Sequence, residues 1–172
     1  DKPFFAYLAY TAPHWPLQAP AETIDKYRGQ YDDGYDALAE KRLMSLEQIG
    51  LIEPGHIAPE QAYPETEFWN NLSDEQKQID AREMETYAAM VDNMDYHIGR
   101  VLNYLDASGQ RDNTIVIFIS DNGAQGFGPG MARAFPQDWI DENFDNSFEN
   151  IGKINSYAYL GPHGARASTA PM

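Results

Sequence analysis

The stretch TIVIFISDNG places an acid, an amide and a glycine in succession directly after an apolar run. Asp121 and Asn122 carry a carboxylate and an amide carbonyl, the hard oxygen donors that Ca²⁺ and Mg²⁺ prefer, and Gly123 lets the backbone turn sharply behind them. Asp-Asn-Gly is also a common turn after a strand. The three residues alone therefore leave two interpretations open, part of a divalent-cation site or a simple turn.

His14 is the other residue whose setting suggests chemistry. It lies between Pro13 and Trp15 in the stretch TAPHWPLQAP, where prolines enforce an extended loop. A histidine in such a stiff loop can donate a hydrogen bond to an oxyanion, or act as a general acid or base near neutral pH. The alternative is a packed loop histidine beside an aromatic ring.

The remaining histidines are weaker candidates. His97 is expected at the flank of a packed helix face, and His56 in a surface loop. His163 and Arg166, in GPHGARAS, could meet an anion together, although the neighbouring glycines also fit a loose surface loop.

Two apolar runs and a helix are expected to position these residues. Residues 4–10 (FFAYLAY) and 115–119 (IVIFI) predict strands covered on both faces. Residues 74–107 predict a long amphipathic helix, because Ser73 and Gln76 form a capping-box pattern and apolar residues follow at three- and four-residue steps. Those apolar positions are Met84, Tyr87, Val91, Met94, Ile98, Val101 and Leu105.

Strands separated by a long helix favour parallel pairing, because antiparallel neighbours need only a short turn. The sequence therefore predicts an α/β fold with a mostly parallel sheet. The loops after both strands would then leave from one carboxyl edge, where open α/β folds bind ligands. A shorter helix is expected at 37–50, and residues 134–150, with five acids and no base, are expected at the surface.

Composition limits the possible partners. Twelve basic against 27 acidic residues give a net charge of −15, which argues against nucleic acid or an anionic membrane surface as the main partner. No apolar run approaches the ~20 residues that a membrane-spanning helix needs. The absence of cysteine excludes disulfides, thiolate metal sites and cysteine nucleophiles within these 172 residues.

Two long motifs together resemble the middle of the type I sulfatases, in particular bacterial arylsulfatases of the alkaline phosphatase-like superfamily. The motifs are KPFFAYLAYTAPHWPLQAP and, a hundred residues later, MVDNMDYHIGRVLNYLDASGQRDNTIVIFISDNG. The resemblance covers most of the chain and is weakest over residues 31–72. It implies that residues 1–172 are part of a sulfatase catalytic domain, with an alkaline phosphatase-like α/β sandwich.

The resemblance also implies roles for single residues. His14 would contact the sulfate and assist proton transfer, while Asp121 and Asn122 would be two of four protein ligands of a divalent cation, usually Ca²⁺. The nucleophile of the family is a formylglycine hydrate that arises from Cys/Ser-x-Pro-x-Arg, and this motif is absent from the sequence. The expected substrate is a sulfate ester, either a small molecule or a sulfated glycan.

We therefore interpret the chain as a central segment of a sulfatase that is inactive alone and that self-associates through exposed sheet edges. Two other interpretations remain open from the sequence. The chain could come from a phosphodiesterase or phosphonate monoester hydrolase of the same superfamily, because metal-assisted transfer at sulfur and at phosphorus shares one architecture. It could also be a non-catalytic acidic binding module.

Overall fold

Helices dominate the computed structural model, which describes residues 2–55, 66–128 and 135–171. Within these ranges no helix has the length and apolar character needed to cross a bilayer. The helices there are α1 (Ala21–Ile24), α2 (Tyr35–Gln48), α3 (Thr66–Asn71), α4 (Asp74–Ala107), α5 (Gln137–Asn143) and α6 (Gly161–Thr169), with 3₁₀ turns at Asp25–Tyr27 and Arg111–Asn113.

The long helix predicted at 74–107 is confirmed as α4, which is 34 residues long. Ser73 caps it, since the Ser73 hydroxyl oxygen accepts a hydrogen bond from the backbone N–H of Gln76 at 3.1 Å. The Gln76 side-chain amide donates to the Asp80 carboxylate at 2.7 Å. Gly109 lies just beyond the C-terminus of the helix and ends it, with a φ of 68° that glycine adopts without steric cost.

The predicted packed face of α4 is confirmed only in part. Met84 and Leu105 are buried, but Val91 and Val101 are 37% and 36% exposed, and no residue in the range 91–104 is buried. The N-terminal half is covered because α1 and the first 3₁₀ turn pack against α4. Apolar periodicity cannot predict this difference, since burial depends on what packs against the stripe.

The predicted α/β sandwich with a parallel sheet is wrong for this structure. In the described ranges no residue belongs to a strand, and the β-pairing consists of a single parallel bridge between Gln18 and Gly152. Residues 4–10 and 115–119 form no ladder with any described segment. The reason is physical: an apolar run becomes a strand only when a neighbouring strand exchanges backbone hydrogen bonds with it.

These two apolar segments, 4–10 and 115–119, lie largely at the surface. Phe5 is 91% exposed in the first segment, and Ile115 is 90% exposed in the second. Contiguous apolar surface is rare on soluble monomers and marks an interaction surface.

The loop after the first apolar segment is held by backbone hydrogen bonds to a distant part of the chain. The N–H of Leu17 donates to the Ala158 carbonyl at 3.0 Å, and the N–H of Ala19 donates to the Gly152 carbonyl at 3.1 Å. These bonds place two stretches from opposite ends of the sequence side by side.

The main core lies between α2, α4, α6 and this loop. Its members come from these elements and from the segments on either side of α6, and they are Leu17, Tyr35, Ala39, Met84, Met90, Ile151, Ala158, Leu160, Ala165, Ala167 and Ala170. The helix expected at 37–50 is confirmed as α2, which packs against α6. A second, smaller cluster contains Ile140, Tyr157 and Tyr159.

Two carboxylates that are buried on α4 bind neighbouring elements. Asp80 accepts a hydrogen bond from the Tyr35 hydroxyl at 2.6 Å, which connects α4 to α2. Glu85 accepts one from the backbone N–H of Gly29 at 2.7 Å and pairs with Arg82 at 2.7 Å. These contacts satisfy charges whose burial without partners would be costly.

The substitution Gly152→Ala is expected to destabilise the 172-residue chain. The φ of Gly152 is 88°, and a Cβ at this position would lie 2.6 Å from Ile24 Cδ1 and 2.9 Å from Thr86 Oγ1. The backbone conformation and the overpacking together should lower the free energy of unfolding by about 2–4 kcal/mol. Urea denaturation followed by circular dichroism measures this loss.

The matched control is Gly109→Ala. Gly109 also has a positive φ, but nothing lies within 4 Å of a Cβ built there. This variant should therefore lose only the conformational part, about 1–2 kcal/mol. Equal losses at the two positions would show that Gly152 is not packed as the structure has it.

We propose that the two apolar segments drive self-association of the 172-residue chain. Ile117, in the second segment, is 76% exposed, so Ile117→Asp should lower the average mass seen by light scattering at a given concentration. Ile49→Asp is the control, because Ile49 is 69% exposed at the end of α2, outside both segments. A monomeric wild-type chain across the micromolar range would contradict the proposal.

Candidate functional site

His14 lies in the proline-rich loop and is exposed. Its Nδ1 is 2.6 Å from the carbonyl oxygen of Trp15, so Nδ1 carries a proton and donates this hydrogen bond. The two rings are tilted against each other with centroids 4.9 Å apart. This arrangement leaves Nε2 as the ring nitrogen that can exchange a proton with a ligand.

Asp121 and Asn122 are both exposed at the end of the second apolar segment. The side-chain amide nitrogen of Asn122 donates to the Gly123 carbonyl at 2.9 Å, and the Ser120 hydroxyl donates to the Asn122 carbonyl at 2.5 Å. Because the Asn122 side-chain nitrogen is used in this way, the side-chain oxygen is the atom that remains as an acceptor, and the neighbouring Asp121 supplies a carboxylate. A pair of oxygen donors suits a hard cation.

The oxygen atoms of Asp121 and Asn122 suit such a cation chemically, but two ligands are too few to hold it. The described part of the chain contains no group of three or more His, Cys, Asp or Glu side chains that could hold a metal ion. Ca²⁺ takes about six to eight oxygen ligands. Asp121 and Asn122 would therefore supply only part of a coordination shell.

The loops of the two motifs meet at a small cavity. Pro13 and Trp15, on either side of His14, line this cavity together with Gln125, which lies three residues after Asn122. The other lining residues are Leu17, Tyr87 and Leu160. The structure thus brings the two loops together, while the roles of their site residues stay predictions.

Helix α6 supports the loop after Asn122. A Cβ at Gly123 would lie 3.2 Å from Thr169 Cγ2, and one at Gly126 would lie 3.3 Å from Pro162 Cα. Both distances are tighter than ordinary carbon contacts, so a side chain at either position would require a shift of a few tenths of an ångström between the loop and α6. This contact gives the glycine-rich sequence after Asn122 a packing role.

An aromatic cluster lies beneath the His14 loop. The Trp15 ring centroid is 5.8 Å from that of Tyr157 and 5.3 Å from that of Tyr159. Burial, and then the neighbouring Tyr157, raises the pKa of Tyr159 to about 12, so its hydroxyl stays neutral. Ile140 of α5, 1% exposed, packs into the same cluster, whereas the acids of α5 are exposed as the sequence predicted.

Glu83 on α4 contacts the segment that contains Tyr159. Burial raises the pKa of the Glu83 carboxyl well above its usual value, and the charge of Asp80 raises it further. A hydrogen bond from the backbone N–H of Tyr159 acts in the opposite direction. Glu83 therefore connects α4 to the aromatic cluster under Trp15.

The prediction of a loose loop around His163 is wrong, because His163 lies in α6. Its ring stacks on Phe68 with centroids 3.4 Å apart and an interplanar angle of 12°, and on Tyr35 at 6.1 Å. Packing of α6 against α2 and a proline in its first turn explain a helix in this glycine-rich stretch. His97 lies on α4, partly exposed as expected for a flank position, and His56 lies outside the described residues.

Three residues near the site carry no strong signal in the sequence. Gln125 is a single amide in a glycine-rich loop, and Tyr159 stands in a run of residues with mixed polarity. Glu83 precedes Met84 by one position and so falls off the apolar stripe of α4. Only contacts between distant segments assign these residues to the site.

Comparisons with known proteins agree with one another. The family model described as Sulfatase matches residues 1–160. An uncharacterized sulfatase of Schizosaccharomyces pombe is 48% identical over 172 residues, which cover 98% of this chain and 30% of that protein. An arylsulfatase of Klebsiella aerogenes is 40% identical over 174 residues, which cover 99% of this chain and 36% of that protein.

A more distant relative has a broader description. The multifunctional alkaline phosphatase superfamily protein PehA of Trinickia caryophylli is 30% identical over 134 residues, which cover 72% of this chain and 24% of that protein. The chain spans about a third of the length of the two nearer relatives described above.

The substitution Glu83→Gln is expected to stabilise the chain as the pH rises. A carboxyl with a raised folded-state pKa holds its proton more tightly in the folded state, so the free energy of unfolding falls above the ordinary carboxyl pKa. Glutamine cannot ionise, yet its carbonyl still accepts from Tyr159. Urea denaturation at pH 4 and pH 8 should therefore show a gain for the variant at pH 8 only.

Glu40→Gln is the control for this experiment, because Glu40 is exposed on α2. It removes a carboxylate from the surface without changing the contacts beneath Trp15. A similar gain for both variants at pH 8 would mean that the effect comes from net charge rather than from the buried carboxyl.

Proposed function

Because the chain belongs to the sulfatase family, as the match over residues 1–160 shows, we propose that it is the central segment of a sulfuric-ester hydrolase of the arylsulfatase type. Family membership confirms the resemblance inferred from the two motifs. Since the chain spans about a third of the length of its near relatives, the activity of the whole protein is part of the proposal.

The meeting of two loops at one cavity is the observation that carries this proposal. The residues that flank His14 and the residue three positions after Asn122 line the same small space, although their motifs are a hundred residues apart. A proton-transferring nitrogen and two oxygen donors on adjoining loops suit the cleavage of an anionic ester. The arylsulfatase of Klebsiella aerogenes, 40% identical, supports the same substrate class.

Each candidate residue has a distinct role in this proposal. His14 exchanges a proton with the sulfate ester at Nε2, either as donor or as acceptor, while its Nδ1–H donates to the Trp15 carbonyl. Asp121 and Asn122 present oxygen atoms to a divalent cation, for which we propose Ca²⁺. When bound, such a cation supplies positive charge that stabilises the negative charge of the sulfate group.

The nucleophile must come from outside these 172 residues. The sequence contains no cysteine and no Ser-x-Pro-x-Arg, so formylglycine cannot arise within it. We propose that the whole protein supplies formylglycine and the remaining cation ligands. The 172-residue chain alone should then be inactive.

Activity of the whole protein tests these roles. Asp121→Asn should lower kcat/KM for an aryl sulfate by on the order of 10²-fold or more, since it removes a charge that holds the cation. His14→Ala should lower it by roughly 10²–10⁴-fold, as expected for a lost general acid or base. Added Ca²⁺ should partly restore Asp121→Asn but not His14→Ala.

The controls are Asp112→Asn and His97→Ala, which change the same residue types away from the two loops and should leave kcat/KM within about twofold. Full activity of the His14 variant would remove His14 from the mechanism. Cleavage of an aryl sulfate by the purified 172-residue chain would refute the proposal that the nucleophile lies outside it.

A second candidate is hydrolysis of phosphodiesters or phosphonate monoesters. It is favoured by the 30% identical relative described as a multifunctional alkaline phosphatase superfamily protein. Comparison of kcat/KM for an aryl sulfate and for the corresponding aryl phosphodiester separates the two. A higher value for the phosphodiester would replace the sulfatase proposal with this one.

A further inference from the structure

Three buried polar atoms near the two loops make no hydrogen bond with any described residue. They are Trp15 Nε1, Gln125 Oε1 and the Tyr159 hydroxyl. Buried polar groups in proteins are almost always bonded to protein or to ordered water. Two of the three, Trp15 Nε1 and Gln125 Oε1, belong to residues that line one cavity, so these two can share a partner there.

The chemistry of two of these atoms is complementary. The Trp15 ring nitrogen can only donate a hydrogen bond, and Gln125 Oε1 can only accept one. Both residues line the cavity between the loops. A water molecule accepts from the first and donates to the second, and so satisfies both atoms at once.

The size of the cavity fits one such molecule. Its volume of about 10 Å³ is close to the minimum that a single water requires. The remaining lining is apolar apart from the aromatic Tyr87, so a substrate or a hydrated ion would not fit. The Tyr159 hydroxyl belongs to a ring whose centroid is 5.3 Å from that of Trp15, but Tyr159 does not line this cavity.

We propose that Gln125 is a positioning residue that acts with Trp15 through one buried water to hold the His14 loop against the loop of Asn122. The role in activity rests on the proposed function, whereas the water bridge does not. Because the cavity holds no more than one water, Gln125 Oε1 acts on the site through the position of the loops and not through contact with a ligand in that cavity.

The bridge would control the geometry of the site for two reasons. His14 is bonded to the Trp15 carbonyl at 2.6 Å, so displacement of Trp15 displaces the imidazole. On the other side, Gln125 precedes Gly126, whose backbone is packed against Pro162 of α6. The water thus connects His14 to a loop that α6 keeps in place.

The first test measures the stability of the 172-residue chain. Trp15→Phe removes the donor, and Gln125→Leu removes the acceptor. Both variants break the same bridge, so the double variant should shift the urea midpoint by clearly less than the sum of the single shifts. Gln48→Leu, at an exposed position on α2, is the control and should combine additively with Trp15→Phe.

The second test measures catalysis by the whole protein with an aryl sulfate. Gln125→Leu should lower kcat roughly 10-fold, because small displacements of reacting groups cost this much or more. Its KM should stay within about twofold, as expected for a positioning residue that makes no contact with the substrate. A purely structural defect would instead lower the fraction of active enzyme without a change in the kcat of the folded molecules, which active-site titration detects.

The two tests separate failure of the bridge from failure of the function. Additive shifts in the stability cycle would overturn the bridge, even if the wild-type protein hydrolyses sulfate esters. Non-additive shifts in a protein without sulfatase activity would support the bridge and reject the proposed function. An unchanged kcat for Gln125→Leu in an active sulfatase would overturn the positioning role.

Discussion

Two backbone hydrogen bonds, from Leu17 to Ala158 and from Ala19 to Gly152, hold the proline-rich loop against a distant stretch of chain. Prolines in this loop remove backbone donors, so the few remaining N–H groups determine its register. With the Leu17 N–H bonded to the Ala158 carbonyl, Trp15 packs on the aromatic cluster that contains Tyr159. The position of the candidate histidine follows from that chain of contacts, because its ring is bonded to the Trp15 carbonyl.

The two apolar segments lead directly into the loops of the candidate site. Residues 4–10 precede the His14 loop, and residues 115–119 end at Asp121. Both segments have the composition of buried strands, yet their side chains are largely exposed and their backbones form no ladder in the described ranges. The loops are therefore held from the side by α6 and by the aromatic cluster rather than by a sheet.

Local patterns predicted the elements that local interactions decide. The extent of α4 follows from its cap at Ser73 and from a sequence without proline up to Gly109, in which the single internal glycine, Gly99, is tolerated. The two motifs were sufficient to identify the family. In contrast, α6 begins with glycine and proline, and its helical state depends on packing against α2, so the sequence favoured a loop. The sequence likewise did not predict the hydrogen bond between Glu83 and the backbone of Tyr159, because it joins segments that are far apart in the chain.

The sequence by itself determined which residues could do chemistry, namely His14 and the pair Asp121 and Asn122, and it determined the family through the motifs that contain them. Only the tertiary structure decided which segments meet, that the apolar runs form no sheet with any described residue, and that Gln125 lies at the junction of the two loops. The physical reason is that residue type and spacing encode local conformation and reactivity. Contacts between distant segments depend instead on the packing and hydrogen bonding of the whole chain.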